Sequence, residues 1–191
     1  MDINRKTLTA VLVLSAAAGL VYWSMENRGP DLDYNFDEQK EEQLKQNQPE
    51  VYQELKDKLD RAESILRQDD KEATAWMDIA LSSHQLGDLK TAEQAYKNAL
   101  AEEKANSLAW INLAAIYKEQ GRFQDAKDAY LTLIDVRPTD TQAYLGLAEM
   151  YVAGNAGTVA DAKGILEFGI QNTNDDMLKQ LLKRLNEQGH L

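Results

Sequence analysis

The stretch WINLAAIYKEQGRFQDAKDAYLTLIDVRP, residues Trp110 to Pro138, decides how the chain is read. Within it Trp110, Leu113, Ala114 and Tyr117 advance by helical steps, and Gly121 closes the run. Beyond the glycine, Phe123, Ala126, Tyr130, Leu133 and Ile134 repeat the pattern until Pro138 breaks it before Asp140. Steps of three and four place apolar side chains on one helix face. A glycine just past such a face supplies the left-handed C-terminal position. The stretch therefore predicts two short amphipathic helices joined by a tight turn.

The same layout recurs on both sides. Trp76, Trp110 and Tyr144 lie 34 residues apart, followed by Ile79–Ala80, Leu113–Ala114 and Leu147–Ala148. Sixteen residues after the first two aromatics stand Ala92 and Ala126, and four residues further Tyr96 and Tyr130. In the first unit Leu86 ends one apolar face, Gly87 supplies the turn, and Asp88 caps a helix bearing Leu89, Ala92, Tyr96, Ala99 and Leu100. In the second unit Asn106 or Ser107 is the expected cap. A fixed period of this length is the mark of stacked helical repeats. The residues resemble the tetratricopeptide repeat, best in the second unit through Trp110, Leu113, Ala114, Tyr117, Gly121, Ala126, Tyr130 and Pro138. The resemblance spans Ala73 to about Thr173 and implies an all-α, right-handed superhelix of antiparallel helix pairs. Large aromatics would fill the space between helices, and small residues at the crossings would let them approach closely.

The third unit departs from the pattern. After Tyr144, Leu147, Ala148 and Tyr151 comes Ala153–Gly154–Asn155–Ala156–Gly157, and the small residue expected at position 160 reappears as Ala162. Leu166 and Gly169 complete the motif. Two extra residues in a turn cost little, and Thr158 with Asp161 makes a capping box for the next helix. Asn174 is the expected cap of a last helix, with Asp175 and Asp176 at its positive end and Leu178, Leu181, Leu182 and Leu185 as its stripe. Such a solvating helix ends a repeat array. Before the repeats, Pro49 opens a helix whose face is Val51, Tyr52, Leu55, Leu59, Ala62, Ile65 and Leu66. It reads as the second half of an incomplete unit.

The N-terminal region differs in kind. Arg5 and Lys6 precede an uncharged apolar run from Leu8 to Trp23, and Thr7 to Met25 gives 19 residues without charge. About 20 such residues cross a hydrocarbon core as a helix, and Tyr22–Trp23 suits a membrane interface. The following flank is acidic, so the N-terminus is expected in the cytoplasm and the remainder across the membrane. A cleavable signal peptide is the alternative, with Leu8–Leu14 as its core and Ala16–Ala17–Ala18 as its cleavage site. The run through Leu20, Val21, Tyr22 and Trp23 favours an uncleaved anchor, and a buried core helix is disfavoured by the missing polar periodicity. Residues 27–49 are polar and acidic, with Phe36 and Leu44 too sparse to bury a helix face, and read as a tether. The expected division is an anchor over 1–26, a tether over 27–49 and a repeat domain over 50–191. The domain divides into an incomplete unit 50–69, repeats 73–106, 107–140 and 141–174, and a capping helix 175–188.

Composition narrows function. With 32 acidic against 21 basic residues the net charge is −11, which repels nucleic acid. No cysteine is present, which excludes thiol nucleophiles, zinc–thiolate sites and disulfides. His84 and His190 stand far apart in no metal-spaced motif, and no glycine-rich phosphate loop or nucleophile–base pair is found. No cofactor, metal or catalytic residue is expected, so the chain does not read as an enzyme.

The resemblance directs attention to a concave face formed by the first helix of each pair. Its lining would be Thr74, Met77, Leu81, His84 and Gln85; then Leu108, Ile111, Asn112, Ala115 and Lys118; then Gln142, Leu145, Glu149 and Val152. An apolar groove of this kind takes an amphipathic helix or peptide. The clamp by which some relatives hold a C-terminal carboxylate is not kept, since of Met77, Leu81, Asn112, Gln142 and Gly146 only Asn112 matches. The resemblance thus implies a membrane-anchored, extracytoplasmic scaffold or chaperone-like adaptor that binds a protein segment. It is similar to repeat proteins serving cytochrome c maturation, pilus or secretion assembly. A permanent subunit of a membrane complex, or a self-associating scaffold with homo-oligomers, is the alternative.

Overall fold

In the computed structural model, residue 30 and residues 32–188 are described; the expected anchor Leu8–Trp23 and His190 lie outside them. The described chain is helical throughout, without a strand. Its helices are α1 (Glu38–Asn47), α2 (Pro49–Leu66), α3 (Ala73–Gln85), α4 (Leu89–Glu102), α5 (Ser107–Glu119), α6 (Phe123–Val136), α7 (Thr141–Val152), α8 (Val159–Thr173) and α9 (Asp176–Gln188). Each helix packs on the next in sequence from α1 to α9, and α7 also touches α5 and α9. Among the described residues no helix is long and apolar enough to cross a membrane.

Local chemistry explains each boundary. The Asp88 carboxylate accepts from the Thr91 amide, Asn106 from Ala109, and Asp140 from Gln142 and Ala143, so each satisfies donors that a helix start leaves open. Gly87, Gly121 and Gly154 have positive φ just past the ends of α3, α5 and α7. The capping box forms at Thr158 and Asp161. One cap differs from expectation. Asn174 takes the left-handed C-cap of α8 at φ 54°, and Asp175 instead accepts from the Met177 and Leu178 amides that open α9. An asparagine tolerates left-handed backbone, which lets the two helices share a turn of two residues.

The 34-residue period is also a hydrogen-bond period. The Trp76 indole donates to the Asp70 carbonyl at 2.7 Å, Trp110 to Lys104 at 2.8 Å, and the Tyr144 hydroxyl to Pro138 at 2.8 Å. Each large ring thus packs and also pins the inter-repeat turn six residues before it. At the crossings Ala80, Ala92, Ala114, Ala126, Ala148 and Ala162 are all 0% exposed. A larger side chain there would force the helices apart, at roughly 1–3 kcal/mol for each overpacked site. Glycine does similar work where space is least: a Cβ on Gly146 would lie 2.5 Å from the Tyr130 ring.

The segment before α2 corrects the tether reading. Leu32, Tyr34, Phe36 and Leu44 pack against the core, the Asp37 amide donates to the Leu86 carbonyl at 3.0 Å, and α1 packs on α2. The scarcity of apolar residues excludes a helix with its own buried face. It does not exclude a few rings entering a cleft that other helices have already built.

Candidate functional site

The first helices of the three repeats, α3, α5 and α7, carry the expected groove residues, and the structure sorts them by access. Leu108 is 52% exposed, and Thr74, Gln142 and Glu149 are exposed as well. Leu81, His84, Ile111, Asn112, Ala115, Lys118 and Leu145 are partly buried, leaving portions of their side chains on the surface. Gln85 and Val152 are exposed. Met77 is the exception. It is 7% exposed and belongs to the core, because α3 is packed between α2 and α4 and the flexible thioether chain fills the interior.

Polar contacts fix the spacing of these helices. His84 Nε2 lies 3.2 Å from Glu119 Oε1, joining α3 to α5. The Ser107 hydroxyl donates to Asp140 at the start of α7, and Thr141 donates to Asp175 at 3.3 Å. Lys118 lies over the Tyr130 ring at 6.0 Å, so its ammonium leans on an aromatic face while remaining part of the lining. His84 therefore has a partner within the fold and is a fixture between repeats. The Asn112 side-chain nitrogen is buried without a protein partner.

On the opposite face a cleft of about 650 Å³ opens between α4 and α6. Trp110, Leu113, Leu100 and Val136 form its apolar floor, with Lys97, Lys104, Arg122, Asp125 and Asp128 at the rim. Sequence reasoning missed it, since Trp110 reads as a packing residue. The ring does pack, but part of it remains at the surface. Arg122 bonds Glu93 and Asp125, each at 2.7 Å, and its guanidinium lies 4.3 Å from the Tyr117 ring centre. Burial works to raise the Glu93 carboxyl, but its bonds to Lys97 and Arg122 outweigh that and hold it below the usual range. Among the described residues no group of three or more histidines and carboxylates is placed to hold a metal ion.

The architecture is that of an array of antiparallel helix pairs. Comparison with known proteins places it: the tetratricopeptide repeat family model matches residues 83–151, the segment containing the second repeat and its flanks, and supports that family for the array. No curated protein matches the chain. Among solved structures it is similar to one of MamA protein, at 16% identity and a TM-score of 0.53, covering 70% of this chain and 68% of that one. A second MamA structure gives 16% identity and a TM-score of 0.56, covering 69% and 84%. The MamA RS-1 ArsTM double mutant gives 14% identity and 0.53, covering 78% and 80%. At these identities the likeness is one of fold.

Proposed function

We propose that the protein is an interaction scaffold that takes an amphipathic helix or peptide of a partner protein against α3, α5 and α7. The observation that carries this reading is the exposed Leu108, beside partly exposed Ile111 on the same helix and Leu145 on the next first helix. An isolated exposed leucine is ordinary, but apolar positions repeated across adjacent helices make a surface that a partner's apolar stripe can cover. His84, Lys118 and Glu149 supply polar groups around it that can orient an incoming segment.

In this reading the chain is held at a membrane by Leu8–Trp23, with the array on the extracytoplasmic side, and serves assembly of an envelope complex. What supports the setting is the sequence order of a basic tip, an uncharged apolar run and an acidic flank.

The test uses tagged full-length protein extracted in detergent after cross-linking in cells, wild type beside a Leu108→Asp/Leu145→Asp variant. Both side chains reach the surface, so helical content should persist by circular dichroism while a specific cross-linked partner is lost. Retention of every wild-type cross-link by the folded variant defeats the groove reading. Protease protection in spheroplasts tests the setting separately: the array should be cut from outside.

A further inference from the structure

The first repeat lacks a ring that the other two possess. Tyr117 and Tyr151 occupy equivalent positions and are each 7% exposed, but the residue 34 positions before Tyr117 is Ser83. Ser83 is 0% exposed, so the space around it is filled. In the second repeat the ring lies against Lys97 and Arg122. The positions corresponding to these two are Glu63 on α2 and Asp88 at the start of α4. Tyr34 lies beside these two residues. Its hydroxyl is buried without a hydrogen-bond partner, and the Asn35 amide beside it donates to Asp88 Oδ2 at 2.7 Å.

We propose that the cleft between α2 and α4 is a peptide-binding site for an extended segment carrying two aromatic residues separated by a single residue. Its resident ligand is the chain's own Leu32–Phe36, with Tyr34 in the slot that Ser83 leaves. Recognition uses main chain and rings together. The amides of Asn35 and Asp37 bond Asp88 and the Leu86 carbonyl, Phe36 stacks on Tyr34 with centroids 5.2 Å apart, and the Lys56 ammonium lies 4.6 Å from the Phe36 ring centre. Gly87 admits the segment because a Cβ there would sit 2.4 Å from that of Asp37. The Asp88 carboxylate is thus the side-chain acceptor for the segment's main chain, with Lys56 as the cation over the outer ring. Because ligand and site share one chain, a competing segment faces an effective concentration on the order of millimolar. The site is therefore closed to weak competitors and open to an equivalent segment only when its own is withdrawn.

The experiment compares full-length wild type, Ser83→Ala, Ser83→Tyr and a Tyr34→Ala/Phe36→Ala variant, using hydrogen exchange and a synthetic peptide of residues 30–38. Ser83→Tyr should fill the slot from its own helix and expel the segment. Exchange at Asn35 and Asp37 then accelerates at least about tenfold while α5 to α8 keep their protection, and Ser83→Ala changes neither. The peptide should bind the Tyr34→Ala/Phe36→Ala variant saturably and the wild type far more weakly. A peptide with alanine for its tyrosine should lose at least about tenfold in affinity. Unchanged protection at Asn35 and Asp37 in a folded Ser83→Tyr protein overturns the proposal. So does failure of the peptide to bind the Tyr34→Ala/Phe36→Ala variant, a result that stands even if Ser83→Tyr does not fold.

Discussion

The clefts between α2 and α4 and between α4 and α6 are built on one 34-residue frame, yet the first is filled and the second stands open. In the first, Trp76 is 6% exposed, Leu86 and Ser83 are fully buried, and Asp88 turns its carboxylate to the incoming Asn35 amide. In the second the corresponding residues are a partly buried Trp110, an exposed Gln120, a nearly buried Tyr117 and an Arg122 engaged with Glu93 and Asp125. The difference teaches that a repeat's backbone does not define its surface. Three substitutions within one turn of the frame exchange a self-contained ring slot for one that accepts a ring from elsewhere in the chain.

The largest effect expected from this contrast is at Tyr117. Tyr117→Ser copies the first repeat's slot with no segment to fill it, and should cost about 3–5 kcal/mol by urea unfolding, as for other buried aromatics. A loss below about 1 kcal/mol would mean the ring slots are not a structural unit. Next come the two turn glycines. Gly121→Ala meets no neighbour and carries only the left-handed backbone at φ 70°, about 1–2 kcal/mol. Gly87→Ala carries the same strain at φ 85° and also strikes Asp37, so it should cost more and deprotect the Asp37 amide. Equal costs for the two would remove the segment from the account.

A smaller effect is expected at the caps. Asn106→Ala loses its capping bond and an exposed bond to Glu103, about 1 kcal/mol, whereas Asp88→Ala loses its cap and the bond from Asn35 at a buried site and should approach 2 kcal/mol. Smallest is the rim of the open cleft. Arg122 and Lys97 are exposed, so Arg122→Ala should cost under about 1 kcal/mol. Its signature lies in pH dependence. The Glu93 carboxylate is held below its ordinary range when folded, so its contribution is present above that range and is lost as pH falls through it. The variant should show a shallower loss of stability on the acid side, measured by thermal unfolding across pH, and an unchanged slope would assign Glu93 to Lys97 alone.

Much of the array was legible because it is local. Trp76, Trp110, Tyr144 and the buried alanines follow from the helical period, and Asp88, Asp140 and Thr158 follow from the chemistry of helix starts. The misread positions are those where distant elements compete. Met77 has groove spacing but is drawn inward by packing among α2, α3 and α4. Asn174 has cap chemistry that suits either end of a helix, and the turn gave it the α8 end. Residues 32–37 have no period to read. The one signal was a pair of absences and presences far apart: serine at position 83 where tyrosine recurs, and two aromatics in an otherwise polar stretch.

Thus sequence alone determined the helices, their pairing and the faces they bury, because a 34-residue period, small crossing residues and caps act within a repeat and its immediate neighbour. The tertiary structure decided which of two equivalent clefts is occupied. That outcome depends on a ring placed 49 residues from the slot it fills, and only the packed helices bring a missing volume and a spare side chain to the same point in space.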